Sequence, residues 1–195
     1  MYSRLIRGVY TVARRGRSRL SVWLTRLQYP DCTVEPGVRL GRNVRIKVTD
    51  GGHCYIGRHC VISDNCTLTV KGGRLLIGEH TFFGPGCVVC ANQLINIGDH
   101  CLIAEYVTLR DQNHGISLPE QNADATDSVE PFSSQPMQCS PIHLGHNVWL
   151  GAKVSVLSGV AIGDNCVAAA HACVIKDVAD RSLVAGIPAR TVRSI

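Results

Sequence analysis

Ile162-Gly163-Asp164-Asn165-Cys166-Val167 is one copy of a unit that recurs through most of the chain. Ile56-Gly57-Arg58-His59-Cys60-Val61 is another. Each unit opens on an aliphatic residue, often followed by glycine. Two polar or turn residues come next, then a small or β-branched residue, then a variable one. The opening position is filled at 18 sites between Val34 and Val174, and sixteen of them are Ile, Leu or Val. An amphipathic helix repeats every 3.6 residues and a half-buried strand every two. A period of six sustained over this length fits neither, and marks a solenoid of short repeated units.

The interruptions set the geometry. Successive opening positions lie six apart except at Ile46 to Ile56, Leu68 to Ile77, Val89 to Ile97 and Leu109 to Leu144. Each break follows three units. Eighteen residues therefore make one turn with three flat faces, and extra residues enter at the corner after the third face. About six coils result, stacking at roughly 4.8 Å each into a prism near 29 Å tall. The opening aliphatics point inward and stack in columns. Glycine after them is expected to ease the tight corner backbone.

Composition agrees with so narrow a core. The chain has 195 residues, 45% of them hydrophobic but only 5% aromatic. That hydrophobic content excludes general disorder. No run of 18 apolar residues appears, so no helical membrane span is expected. The net charge of +5 is unevenly placed. Residues 1–30 carry seven arginines and no acidic residue, which leaves 13 basic and 15 acidic groups for residues 31–195. A nucleic-acid binder needs basic residues on its folded surface, and this domain is slightly acidic.

Ten cysteines raise the question of disulfides or metal. The N-terminus has no continuous apolar core region or clean cleavage site of a secretory signal. One C-x-x-C occurs, Cys87 to Cys90, without a second pair to complete a zinc site. Five cysteines (Cys60, Cys66, Cys87, Cys101, Cys166) share the fifth position of the unit, which valine fills elsewhere. They read as small inward fillers, free thiols suited to a reducing cytoplasm.

These units resemble the hexapeptide-repeat acyltransferases over about residues 34–179. The resemblance implies an all-β, left-handed parallel β-helix; the handedness comes from the family and not from the spacing. The expected organisation is a basic amphipathic arm at 1–30, a catalytic β-helix at 31–179 with a loop excursion at 115–141, and a tail at 180–195. The arm spaces Leu5, Val9, Val12, Leu20, Trp23, Leu24 and Leu27 at roughly helical intervals. Two uses stay open for it: contact with an anionic membrane face, or cover for an end of the prism or a neighbouring subunit.

Chemistry is expected at the largest interruption. Leu109-Arg110-Asp111-Gln112-Asn113-His114-Gly115 leads into a proline-rich segment with four acidic residues and no basic one. An imidazole at the exit of a rigid scaffold suits general-base work on a hydroxyl. The Asp-x-Asn-His pattern is similar to the catalytic-histidine loop of the sugar O-acetyltransferases in this superfamily. The resemblance makes His114 the base that activates an acceptor hydroxyl toward the acetyl-CoA thioester. Asp111 is either an orienting carboxylate for that imidazole or a corner turn residue. Asn92 and Asn113 are candidates for acceptor contact, with a structural role competing for each.

Trp149 stands out in a chain poor in aromatics. By resemblance it lines the acetyl-donor passage, where an apolar plane excludes water from the thioester. The closing segments Ala168–Val178 and Val184–Arg190 are similar to those of the maltose and galactoside acetyltransferase group. That similarity assigns Ala152 and Ala170 to the pantetheine arm, and Lys176, Arg190 and Arg193 to the nucleotide phosphates. Ile175 departs from the threonine often found there.

The implied activity is acetyl-CoA-dependent O-acetylation of a sugar hydroxyl in bacterial surface polysaccharide assembly. Similar enzymes are cytoplasmic homotrimers with the site between subunits. Two other classes remain. The γ-class carbonic anhydrases share the fold and hold zinc through histidines, but their ligand spacing is not found here, and no metal is expected. A non-catalytic scaffold would cleave no thioester. Within the enzymes, an amino-group acceptor stays open.

Overall fold

The computed structural model describes residues 31–115 and 131–195; the arm at 1–30 and most of the loop lie outside them. Three parallel sheets form the faces of a prism. Face A stacks Cys32–Val34, His53–Ile56, Arg74–Ile77, Leu94–Ile97, Ile142–Leu144 and Ala161–Ile162. Face B begins at Arg39–Leu40 and runs through Val61–Ile62, Phe82–Phe83, Leu102–Ile103, Trp149–Leu150 and Val167–Ala168 to Ser182–Gly186. Face C stacks Arg45–Thr49, Thr67–Lys71, Val88–Ala91, Thr108–Arg110, Ser155–Val156 and Cys173–Val174. The chain visits A, B and C in turn, six times, as the period of 18 requires.

All 18 opening residues, Phe83 among them, are buried, and so are the five fifth-position cysteines. Each inward column contacts its copies in the coils above and below, so every aliphatic removes most of its apolar surface from water, worth about 1.5–3 kcal/mol apiece. All ten cysteines are free thiols.

The corners correct the expectation for glycine. Left-handed backbone falls on the fourth position of the unit, at Asn43, His59, Asn65, His80, His100, Asn147, Asn165 and His171. Asparagine tolerates that conformation better than most residues. The second-position glycines answer a different need, close approach of the next coil. A Cβ on Gly98 would lie 2.5 Å from the Gly145 oxygen. Third-position aspartates fasten the same corners: Asp99 accepts the Glu79 N–H at 2.7 Å and Asp164 the His146 N–H at 2.7 Å. Gly98→Ala should therefore destabilise the fold by about 1–3 kcal/mol through overpacking against backbone that has nowhere to go. Chemical denaturation of the variant checks this.

Residues 180–195 are not a separate tail. Ser182–Gly186 adds a seventh parallel rung to face B, and Ala189–Ser194 folds back on it antiparallel. The histidines at His59, His80 and His100 stack as one corner column, with ring centroids 5.0 and 5.1 Å apart. Among the described residues no group of three or more His, Cys, Asp or Glu is placed to hold a metal ion, and no helix is long and apolar enough to cross a membrane.

Burial shapes the thiols. It pushes Cys60 and Cys101 up to about 11 from an ordinary 9.0. Folded, both keep their protons where the unfolded chain has begun to lose them. Their contribution to stability is complete below pH 9 and is lost as pH rises toward 11. The melting temperature should fall between pH 8 and pH 10.5, and a Cys60→Val, Cys101→Val double variant should fall less.

Candidate functional site

Asp111 ends the fourth visit to face C, where the regular path would turn onto face A. It is fully buried. Its carboxylate accepts the backbone N–H groups of Asn92, Gln93 and Leu94, each at 2.8 Å. Both oxygens are thus spent on the corner of the coil below. The Asp111 carbonyl accepts the Ser140 N–H at 2.8 Å and the Ser158 hydroxyl at 2.9 Å. One residue ties three successive corners together at the point where the chain leaves the prism.

The departure is a hairpin. Gln112–His114 pairs antiparallel with Met137–Cys139, and His114 faces Met137 across it. The excursion expected at 115–141 is therefore regular at its base. Asn113 and His114 are exposed on the outgoing strand. Beyond them Gly115 is buried, its N–H donated to the Pro136 carbonyl at 3.1 Å. Two thiols flank the base. Burial pushes Cys139 up, helped by the Asp111 charge, and burial pushes Cys90 up against the opposing pull of Arg110. Neither is primed as a nucleophile.

The expectation that Asp111 holds the imidazole is not met: no hydrogen bond joins the two, the carboxylate being buried against Asn92, Gln93 and Leu94 while His114 is exposed. It is not an Asx turn at its own corner either, since it caps the corner one coil below. Asn92 sits at that capped corner. It shares the fourth unit position with Asn43 and Asn65 but lacks their left-handed backbone; its N–H is held by Asp111 while its side chain is half-buried.

Trp149 lies on face B, 43% exposed, beside the B/C corner. Ala152 and Ala170 stack at that corner in successive coils, the Ala152 carbonyl accepting the His171 N–H at 2.8 Å. Lower on the same corner Asp64 caps the Arg42 N–H at 2.8 Å, but in these two coils alanines stand in the aspartate's place. The N–H groups of Ala152 and Ala170 donate to no acceptor among the described residues, and their side chains are too small to shield them. Such a bare backbone edge fits an amide-bearing chain like pantetheine. Lys176 and Arg190 line one pocket of about 220 Å³ at the end of the prism, with Asp177 and Thr191. Arg193, on the same strand as Arg190, is exposed outside that lining. Two cations converge there as a phosphate group requires.

His114 and the Trp149–Ala152–Ala170 edge belong to different corners of the prism. Face C separates them. Two features were not read from the sequence. Ser140 and Ser158, 18 residues apart, clamp the hairpin base. The Gln112 side-chain oxygen is buried without a partner. The one-coil spacing of the serines is a usable signal; the orphaned oxygen leaves none.

Comparison with known proteins follows this geometry. Residues 141–170 match the family model for the hexapeptide repeat of succinyl-transferase. Galactoside O-acetyltransferase of Escherichia coli is 32% identical over 124 residues, 64% of this chain and 56% of that protein. WbbJ of Escherichia coli, a candidate lipopolysaccharide biosynthesis O-acetyl transferase, is 25% identical over 173 residues, 88% of this chain and 84% of that one. A hexapeptide-repeat acetyltransferase of Vibrio cholerae, solved with acetyl-CoA, superposes with a TM-score of 0.53 at 27% identity, covering 93% of this chain and 80% of that chain. The chain spans about half the length of the first two curated relatives it matches, 54% and 56%. With its six-coil parallel β-helix, the chain is similar to the hexapeptide-repeat acetyltransferases in fold and in sequence.

Proposed function

We propose that the chain is an acetyl-CoA-dependent O-acetyltransferase that acts on a sugar hydroxyl in bacterial surface polysaccharide assembly. It works on the cytoplasmic side of the membrane as a homotrimer with sites between subunits. The observation that carries this reading is the presentation of His114: an exposed imidazole on a two-stranded hairpin whose base Asp111, Ser140 and Ser158 pin to the scaffold. Its relatives' names support acetyl transfer to sugar oxygen.

The chemistry follows from the parts. Neutral His114 takes the proton of the acceptor hydroxyl as that oxygen attacks the thioester carbon. The tetrahedral oxyanion needs donors already aimed at it, and uncommitted backbone N–H groups supply them. Collapse breaks the carbon–sulfur bond, and the imidazolium returns its proton to the leaving thiolate. Lys176 and Arg190 hold phosphate; Ala152 and Ala170 meet the pantetheine amides; Trp149 keeps water from the thioester. Asp111 acts at one remove, as the brace that positions the hairpin.

The test is release of free thiol from acetyl-CoA across a panel of glycan acceptors. Acceptor-dependent release with one acetyl ester formed per thiol supports the reading. Release with no acceptor preference, or none with any glycan, sinks it.

A further inference from the structure

Two of the buried cysteines stand outside the logic of the others. The five at the fifth unit position each donate S–H to a corner carbonyl one coil above, at 2.9 to 3.2 Å. Cys32 and Cys54 lie instead in an inward column of face A. In the rungs above them that column carries Leu75, Ile95 and Ile142. The column's own pattern calls for a large aliphatic at both places, and both hold a buried thiol.

Cys32 and Cys54 are register partners on adjacent parallel strands, with both side chains turned into the prism. Their Cα atoms stand one inter-strand spacing apart, about 4.8 Å, inside the roughly 4.4–6.8 Å that a disulfide spans. The backbone fixes this register, since the Cys54 N–H donates to the Asp31 carbonyl at 3.0 Å. The Cys54 thiol donates its hydrogen to the Cys32 sulfur. That bond holds Cys32 below the usual thiol range against the opposing effect of burial, and it pushes Cys54 up. Cys32 is thus the nucleophile of the two. It also sits on the edge strand of face A among the described residues, with a partner strand on one side only. Cys66 and Cys87 share a similar thiol–thiol bond. They lie in the second and third coils, packed from both sides, and both also donate to corner carbonyls.

We propose that Cys32 and Cys54 form a reversible disulfide that locks the first coil to the second when the surroundings turn oxidising. The co-reactant is a small-molecule disulfide of the oxidised-glutathione class. The Cys32 thiolate attacks one of its sulfurs, the reagent's S–S bond breaks, and one small thiolate leaves. Cys54 gives its proton to that thiolate. The Cys54 thiolate then attacks the Cys32 sulfur and expels the second small thiolate, which picks up the proton that Cys32 gave to water. Two protein thiols lose two electrons, and one small disulfide becomes two small thiols. In a reducing cytoplasm such a bond is transient and senses a change of redox poise. Its effect is local: it closes the edge strand Cys32–Val34 against opening.

The test is oxidation of the folded full chain with oxidised glutathione, followed by thiol titration and peptide mapping. Free thiols should fall by two from the ten of the reduced chain. One cross-linked peptide should join Cys32 to Cys54, amide exchange across Cys32–Val34 should slow, and a reductant should reverse all three changes. Cys54→Ala should stop at a mixed disulfide on Cys32. Cys32→Ala should form no cross-link and keep its melting temperature under oxidation; Cys32→Val replaces it if circular dichroism shows misfolding. Ten free thiols after oxidation overturn the proposal. So does a cross-link at Cys66 and Cys87 or at any other pair, or one that forms only in denaturant. None of these readings involves acetyl transfer, so they stand or fall apart from the proposed reaction.

Discussion

His114→Ala should lower kcat by about 10²–10⁴-fold and leave coenzyme binding unchanged. The loss follows from what the imidazole does. A sugar hydroxyl is a poor nucleophile until its proton has somewhere to go, and no other titratable side chain among the described residues shares the exposed strand Gln112–His114. Coenzyme binding should survive because the residues that fit it, from Ala152 to Arg190, lie on other corners of the same chain. Turnover with saturating acceptor and titration with coenzyme A separate the two quantities. Near-normal turnover would show that another group takes the proton. A large loss of coenzyme affinity would show that the hairpin and the donor passage are one unit.

The second large effect is expected at a residue that touches no substrate. Asp111→Ala removes the acceptor for three backbone N–H groups at a fully buried position. Each buried donor left unmade costs about 1–3 kcal/mol, so the variant should lose on the order of 3 kcal/mol or more, and its hairpin should lose its fixed exit angle. Asp111→Asn keeps one oxygen and should fall between the wild type and alanine in both stability and kcat. A carboxylate that merely polarised the imidazole would give another pattern: Asp111→Asn would cost activity without stability, and would shift the pH dependence of kcat. Denaturant midpoints measured beside turnover distinguish a brace from an orienter.

The prism was legible in the chain because its rule is strict. A six-residue spacing with breaks after every third unit leaves one arrangement for Val34 to Val174, and every opening aliphatic is buried there. The chemistry of the corners was less legible. Gly98 and His100 both looked like turn residues, yet one permits a close approach and the other carries the left-handed backbone. Spacing cannot separate those needs, since both recur with the same period. Asp111 was legible as important and illegible in role. Its partners at Asn92, Gln93 and Leu94 are a coil away and use backbone groups, which every residue has. Ser182–Gly186 escaped because its repeat has decayed, while its pairing with Val167 and Ala168 has not.

The reversed strand Ala189–Ser194 bears on how long such a molecule can grow. Every coil of a solenoid ends in an edge identical to the one it rests on, so an uncapped stack is a filament seed in its own right. Turning the last strand against the direction of all the others gives face B an edge of the wrong polarity for a further parallel rung. A change of strand direction thus closes this edge of face B to a further parallel coil. A chain cut before Ala189 would keep its coils and lose its stop.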